Sequence, residues 1–289
     1  MKLIIDTDIG DDYDDIFTLA VALASPEVDL LGVTTVVGDA DLRARLTRRF
    51  LAVAGRDDVP VAVGATIRTG ARFTHRRWAR GGPDGPAAQA VDFILETIAA
   101  EPDELTLLAI GPLTNVAAAL RRDGAVFRKL KRIVVMGGSV HRGYRDLPWS
   151  EGGEPSAEHN IVSDIAAARA VIDSDVPTLL APLDCTMLAL DELKRQLIFT
   201  RSTPITDALA LTYLQWAAAA GRLTPILFDT AALALAIEPE MFRVEPMCLS
   251  VDTEGRTLIA TGQPNVDVAL EVDQDRFWRW LMPRLVKGR

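Results

Sequence analysis

Cysteine, long apolar runs and positive charge are all scarce in this chain. The two cysteines, Cys185 and Cys248, stand far apart in apolar settings without the spacing of a metal site, so we expect two buried thiols. No apolar run reaches the roughly 18 residues that a membrane span requires, and no cationic and apolar signal precedes the first predicted strand. We therefore expect a soluble, cytoplasmic protein with no membrane contact.

The balance of charge excludes a further class of partner. The chain has 31 Lys and Arg against 40 Asp and Glu, which gives a net charge of -9. Because such a surface repels polyanions, we expect no nucleic-acid polymer as a partner, and a small free substrate fits better. The basic run at residues 75–80 is a local exception, and such runs are more typical of a loop or subunit contact.

Short apolar runs alternate with helical patterns along most of the chain. At 289 residues and 49% hydrophobic side chains, the chain can bury a large core, and one domain over residues 1–289 is the simplest expectation. The alternation predicts an α/β fold with a mostly parallel, Rossmann-resembling central sheet flanked by helices. The predicted strands cover residues 3–5, 30–37, 59–63, 105–110, 132–136 and 178–181, and the predicted helices cover 16–24, 42–54, 87–100, 113–121 and 165–172.

Two stretches interrupt this alternation, and the last third of the chain has a different pattern. Residues 68–86 and 137–156 are rich in glycine and bulky aromatics, which predicts lids over a site. Beyond residue 200 we expect helices at 205–220 and 230–237. A strand pair at 243–251 and 257–260 would follow, joined by a hairpin turn at 252–255.

The opening of the chain has the strongest functional signal. An apolar strand at 3–5 is followed by six carboxylates in ten positions: Asp6, Asp8, Asp11, Asp12, Asp14 and Asp15. Like charges this dense repel one another unless a cation lies among them, and the hard cations Ca²⁺ and Mg²⁺ prefer oxygen ligands. A solvated acidic turn that caps the next helix is the alternative, but it explains one or two of these acids. The opening therefore favours a metal site at a strand end.

Three later polar positions also follow apolar runs, and the carboxyl ends of parallel strands lie at one edge of a sheet. They are Thr114 in Gly-Pro-Leu-Thr-Asn, the Glu158-His159-Asn160 triplet, and Asp229 at the start of an apolar helix. Each has a helix-capping interpretation that is adequate when the position is taken alone.

Taken together, these motifs and Val-Val-Met-Gly-Gly at residues 134–138 occur in an order that resembles the inosine-uridine preferring nucleoside hydrolase family. The resemblance covers roughly residues 2–282. It implies Ca²⁺ at the base of a pocket that binds a small-molecule nucleoside, with water cleaving the N-glycosidic bond to give ribose and free base. It also implies a homodimer or homotetramer and a role in nucleoside salvage.

The resemblance assigns roles to individual residues of this chain. Asp8 would ligate the metal and act as the base on a metal-bound water, and the other metal ligands would be Asp15, Asp229 and the backbone carbonyl of Thr114. The substrate would be bound by Asp14, Asp39 and Asn160 at the ribose hydroxyls, Glu158 at the outer hydroxyl, and Phe228, Trp149 and His159 around the base and sugar. Asp6 would support Asp8 from behind.

The chain departs from the family pattern at three places. Its opening is two residues longer than the common form, so aligning Asp14 and Asp15 with the metal-binding pair leaves Asp12 as a rival. Phe228 stands where several members have a histidine that protonates the departing base, which leaves four candidates for that proton: His75, His159, Tyr144 and Trp149. Gly152 replaces an asparagine that often contacts the outer hydroxyl.

Two other functions remain open on the sequence. An apolar strand ending in Asp-x-Asp also begins haloacid dehalogenase-like phosphatases, in which Asp6 would be the nucleophile and Mg²⁺ the metal. Release of phosphate from sugar phosphates would identify that class. The loss of the histidine before Asp229 is also compatible with a catalytically weak nucleoside- or sugar-binding protein of the same fold.

Overall fold

The computed structural model describes residues 1–70, 72–85, 88–145 and 153–286. Within these ranges, eight strands form one sheet in the order β3-β2-β1-β4-β5-β6-β10-β7, and all neighbours are parallel except β10 and β7. The strands are β1 (Lys2–Thr7), β2 (Asp29–Thr35), β3 (Val61–Val63), β4 (Leu105–Ala109), β5 (Arg132–Met136), β6 (Thr178–Ala181), β7 (Phe242–Met247), β8 (Leu249–Val251), β9 (Thr257–Ile259) and β10 (Val266–Val272). β8 and β9 form a separate hairpin.

Helices cover both faces of the sheet, because successive side chains of its central strands point to opposite sides. Ile5 and Leu108 belong to the core on one face, with α1 and α12, whereas Ile4 and Leu107 belong to the core on the other. The helices are α1 (Asp14–Ala24), α2 (Ala40–Val53), α3 (Arg76–Ala79), α4 (Ala90–Ala100), α5 (Thr114–Arg122), α6 (Gly124–Phe127), α7 (His159–Ser163), α8 (Ile165–Ile172), α9 (Leu183–Thr186), α10 (Glu192–Phe199), α11 (Pro204–Ala220), α12 (Phe228–Ile237) and α13 (Gln274–Val286). The predicted mostly parallel sheet flanked by helices is confirmed.

The predicted strand at 243–251 is wrong in one respect, because the structure divides it in two. β7 joins the main sheet as the antiparallel neighbour of β10, a strand that the sequence did not suggest. β8 pairs with β9 across the predicted hairpin turn. Asn265 stabilises the division, since its side chain accepts a hydrogen bond from the Leu249 N–H (2.9 Å) and donates to the Leu249 carbonyl (2.9 Å).

The first of the two long stretches packs against the acidic opening loop. The His75 N–H donates to the Gly10 carbonyl (3.1 Å), and the Thr74 hydroxyl donates to the Asp11 carbonyl (3.0 Å). Gly10 has a φ of +121° and lies under the Phe73 ring, where a Cβ would come within 2.6 Å of the ring. The loop therefore requires glycine at this position. No helix in the described ranges is both long and apolar enough to cross a membrane.

Candidate active site

A cavity of about 780 Å³ lies outside the carboxyl ends of β1, β4 and β5. This is the position at which parallel α/β sheets bind ligands. Its floor and one wall are acidic, and the carboxylates that line it are Asp8, Asp11, Asp12, Asp14, Asp15, Glu158 and Asp229. The structure therefore brings most of the acids that the sequence suggested into one cavity.

Three of these acids form a tight cluster. Asp14, Asp15 and Asp229 each offer a carboxylate oxygen, and these atoms lie within 4.8 Å of one another. Asp14 and Asp15 are in the first turn of α1 and Asp229 is in the first turn of α12, where the helix dipoles favour negative charge. The Asp229 N–H also donates to the Asp14 carboxylate (3.3 Å). A carboxylate pair near the N-terminus and an acid more than two hundred residues later are thus brought together.

Burial raises the pKa of Asp14, Asp15 and Asp229 well above the usual range, and repulsion among them and from Asp8 adds to the effect. Burial likewise raises the pKa of Asp8 to about 6, although the Arg43 guanidinium acts in the opposite direction. Oxygen donors that repel one another in a buried pocket are the donor set that a hard divalent cation prefers. The residues present therefore fit such an ion.

Asp6 lies behind the cavity and does not line it. One of its carboxylate oxygens accepts hydrogen bonds from the Thr34 hydroxyl and from the Asn115 side chain (2.8 Å). Its other oxygen, Oδ2, is buried and finds no hydrogen-bond partner among the described residues. Burial raises the pKa of Asp6 to about 7, and repulsion from Asp8 contributes. Asp6 is therefore close enough to Asp8 to feel its charge, and its supporting role stays a prediction.

Arg43 of α2 fixes the opening loop from outside the acid cluster. Its side chain is buried and donates to the carbonyls of Asp8, Ile9 (3.0 Å) and Val37 (2.8 Å), and it forms an ion pair with Asp11 (2.8 Å). The opening loop is thus anchored at residues 8, 9 and 11 by a buried cation. Asp8 is held at its position by this anchoring.

In metal-free protein, the free energy of unfolding is expected to fall as the pH rises from about 4 to about 7. The folded-state pKa values of Asp6 (about 7) and Asp8 (about 6) exceed the ordinary 3.8, so the folded state binds more protons in this window. The protonated carboxyls therefore contribute fully to the free energy of unfolding below about pH 4. This contribution is lost as the pH rises through the folded-state pKa values of about 6 and about 7. Urea titrations in chelator at about pH 5 and about pH 7.5 measure this change.

The same titrations in saturating calcium provide the control. A bound cation replaces the protons as the neutralising charge, so the decline should shrink or disappear. A metal-free protein whose stability rises across this window would contradict the expectation.

Glu158 and Asn160 also line the cavity, and both are held by the backbone. Glu158 caps α7 and accepts hydrogen bonds from the N–H groups of Asn160 (3.0 Å), Ile161 (3.1 Å) and Gly138 (3.1 Å). The Asn160 amide donates to the carbonyls of Met136 (3.1 Å) and Ile110 (3.3 Å). Glu158 therefore caps a helix and also lines the cavity, so its capping role does not exclude the predicted role in binding the outer hydroxyl of the sugar.

Two predicted site residues are not brought to the cavity. Thr114 begins α5, and its hydroxyl donates to Asp164 (2.7 Å), outside the lining. Ile110, four residues earlier and directly after β4, lines the cavity in its place. Asp39 caps α2 by accepting from the Leu42 N–H (3.1 Å), and its half-exposed side chain lies 4.0 Å from Arg76. Trp149 and Gly152 lie outside the described residues.

The candidate residues for protonating the departing base differ in whether they line the cavity. His75 is buried against Gly10 and Thr212, outside the lining, and burial lowers its pKa to about 4. Tyr144 and His159 do line the cavity, and the Tyr144 ring meets Phe228 edge to face at 6.1 Å. Burial raises the pKa of Tyr144 beyond its ordinary value. Phe228 has no proton to give.

Sequence reasoning missed one side of the cavity altogether. Trp216 and Arg222 line it together with Ala219 and Ala220, at the carboxyl end of α11 and just beyond it. Gly221 ends this helix in the left-handed conformation and directs the chain back across the cavity. The sequence signal that could have indicated this side is the glycine that ends the alanine-rich helix, followed directly by an arginine.

Comparison with known proteins identifies the family. Residues 3–279 match the model of the family described as "Inosine-uridine preferring nucleoside hydrolase". The chain belongs to this family. As a nucleoside hydrolase it is an enzyme that acts on N-glycosyl compounds, and the resemblance drawn from the motifs is confirmed.

Relatives and solved structures of nucleoside hydrolases match over nearly the whole chain. A non-specific ribonucleoside hydrolase RihC from Klebsiella pneumoniae is 33% identical over 97% of this chain and 96% of that protein. A pyrimidine-specific ribonucleoside hydrolase RihA from Citrobacter koseri is 30% identical over 99% of this chain and 98% of that protein. The structure of the plant nucleoside hydrolase PpNRh1 superimposes with a TM-score of 0.86 at 25% identity, covering 99% of both chains.

Proposed function

We propose that this nucleoside hydrolase cleaves the N-glycosidic bond of a ribonucleoside to ribose and free base, and that it uses Ca²⁺. The observation that carries the proposal is the buried cluster of Asp14, Asp15 and Asp229 on the floor of a cavity of about 780 Å³. A cavity of this size accommodates a small ligand such as a nucleoside. The family of the chain and the names of its relatives support the reaction class.

The ion would be held by Asp8, Asp15 and Asp229, with Asp14 close enough to share it or to bind a ribose hydroxyl. Calcium takes six to eight oxygen ligands, so the vicinal diol of ribose and water complete such a set. When bound, the ion lowers the pKa of a water molecule that it coordinates. In place of Thr114, we propose that the Ile110 carbonyl at the end of β4 faces this set.

Asp8 has the position and the environment of a general base. It is buried, it lines the cavity next to the acid cluster, and its backbone carbonyl is held by Arg43. Attack of water on C1′ of the sugar passes through an oxocarbenium-like state, which the surrounding carboxylates stabilise. Direct attack by water inverts the anomeric centre.

The phosphatase alternative fits the structure less well. A nucleophilic Asp6 would have to reach a substrate, yet Asp6 lies behind the cavity with one oxygen committed to Thr34 and Asn115. A sugar- or nucleoside-binding protein without turnover would need the same cavity. A measurement of turnover distinguishes it from the enzyme.

The test is ribose release from a panel of nucleosides, namely inosine, guanosine, adenosine, uridine and cytidine, in calcium. We expect ribose from at least one of them in equal amount to free base. Release of phosphate from sugar phosphates with no ribose from any nucleoside would overturn the proposal in favour of the phosphatase. Tight nucleoside binding without ribose would do so in favour of the binding protein.

Assembly and location remain predictions. The expected homodimer or homotetramer can be measured by light scattering of the purified protein, and the cytoplasmic location by fractionation of cells that express it.

A further inference from the structure

The side of the cavity that faces Trp216 is built differently from its acidic floor. We propose that Arg222, held in place by Asp12 and Trp216, binds the base of a 6-oxopurine nucleoside and stabilises the negative charge that develops on the base as it leaves. The inference rests on the proposed function and names its substrate class and a residue for the departing group.

Arg222 contacts both an aromatic ring and a carboxylate. Its Cζ lies 5.3 Å from the centre of the Trp216 ring, and its Nη2 lies 3.8 Å from Asp12 Oδ2. The Arg222 side chain is 18% exposed and lines the cavity. Stacking on an aromatic face and pairing with a carboxylate are the two ways in which a guanidinium is best oriented.

Trp216 is a rigid platform because it is packed from below. Its side chain is buried, and its ring lies 6.2 Å from that of Tyr13 and 6.0 Å from that of Tyr213. Burial raises the pKa of Asp12, and the Trp216 side chain acts in the opposite direction. Arg222 therefore bridges Trp216 of α11 and Asp12 of the opening loop.

Asp12 belongs to the loop that is two residues longer than the common family form. Its carboxylate accepts from the Tyr13 N–H (2.7 Å), and Asp12 lies two residues before Asp14, the first residue of α1. The position of Asp12 places Arg222 beside the floor on which the sugar is proposed to bind. A base attached to that sugar therefore comes within reach of Arg222.

The chemistry of the leaving base calls for a cation at this position. As the C1′–N9 bond breaks, its electron pair goes to the base, water oxygen bonds to C1′, and a proton of that water passes to Asp8. The purine anion spreads its charge onto N7 and O6 until solvent protonates it. A fixed cation beside this charge lowers the barrier without transferring a proton, a task that Phe228 cannot perform.

Arginine also selects among purines. A guanidinium donates two parallel hydrogen bonds to the adjacent acceptors O6 and N7 of guanine, and hypoxanthine has the same edge. Adenine offers N7 beside an amino group, which is a donor and repels the second N–H. The site should therefore favour inosine and guanosine over adenosine.

The experiment compares Arg222→Met, Arg222→Lys and wild type on inosine, adenosine and 4-nitrophenyl β-D-ribofuranoside, whose nitrophenolate leaves without assistance. Arg222→Met should lose about a hundredfold in kcat/KM for inosine, the effect typical of removing one such donor. Its kcat/KM for adenosine should fall less, because adenine accepts only one of the two hydrogen bonds, and its kcat/KM for the nitrophenyl riboside should change little. Arg222→Lys, which keeps the charge but not the fork, should fall between.

Arg128→Met is the matched control, because Arg128 pairs with Asp175 (2.8 Å) on the surface away from the cavity and should behave as wild type. Equal losses on inosine and adenosine in Arg222→Met would overturn the inference, as would a wild type that prefers adenosine. So would a loss on inosine seen in His159→Gln and not in Arg222→Met, which would assign the departing base to His159. If wild type cleaves neither nucleosides nor the nitrophenyl riboside, the proposed function itself fails.

Discussion

Replacement of Asp8 by alanine is expected to lower kcat for nucleoside hydrolysis by at least about a thousandfold, because it removes a general base and an oxygen ligand together. The protein should stay folded. Burial is the main cause of the raised Asp8 pKa, and after burial Asp8 itself contributes to the raised pKa of Asp14, Asp15 and Asp229, so its removal relieves repulsion in the metal-free state. Steady-state kinetics and thermal melting, measured on the same preparation, separate the two effects.

Asp58→Ala is the matched control for this variant. Asp58 is exposed and pairs with Arg56 (2.9 Å) far from the cavity, so its loss should leave kcat unchanged. Asp8→Asn adds a test of the base itself, since the amide keeps an oxygen for the ion but cannot take a proton. Retained activity in Asp8→Ala would rule out the assignment of the base.

Removal of the metal is expected to have an effect of similar size. Chelator-treated protein should lose hydrolysis, and calcium should restore it, because an ion bound at the acid cluster would help to position water, diol and base. Calcium should also raise the melting temperature, since a ligand at about a hundred times its Kd adds about 2.7 kcal/mol to the free energy of unfolding. Calorimetry with and without calcium measures this shift.

Asp229→Ala should abolish both responses to calcium, because Asp229 completes the acid cluster. Asp267→Asn, an exposed aspartate of β10, is its control and should respond as wild type does. Full activity in chelator would refute the metal dependence. Restoration by magnesium and not by calcium would keep the site and change the ion.

The central strands could be predicted closely because both of their faces are buried. β5 and β6 begin and end at the predicted residues, since a strand covered on both sides is a continuous apolar run bounded by polar residues. The acidic cluster could be predicted in part. Asp14 and Asp15 follow β1, where parallel topology brings polar side chains to one edge of the sheet, whereas Asp229 was expected beside them only from the family resemblance. That resemblance assigned Asp14 to the ribose, although its carboxylate lies within the cluster.

The parts that could not be predicted depend on contacts between distant segments. Ile110 lines the cavity and Thr114 does not, and because a metal site can use a backbone carbonyl of any residue type, the sequence alone does not favour one over the other as a possible ligand. β10 alternates partly between buried and exposed residues, so it lacks the continuous apolar run of the central strands. Its antiparallel pairing with β7, the last strand of the sheet, depends on contacts that the sequence pattern does not reveal. The Asp12, Trp216 and Arg222 contacts join segments some two hundred residues apart.

The joining of α1 and α12 through the acid cluster has a consequence for how the protein matures. A chain still being synthesised contains the first two carboxylates almost from the start, but it lacks the third until four-fifths of its length has been made. Before that point the carboxylate of Asp229 is missing from the cluster. A cation held by all three carboxylates would therefore bind only to a chain that has been made beyond Asp229.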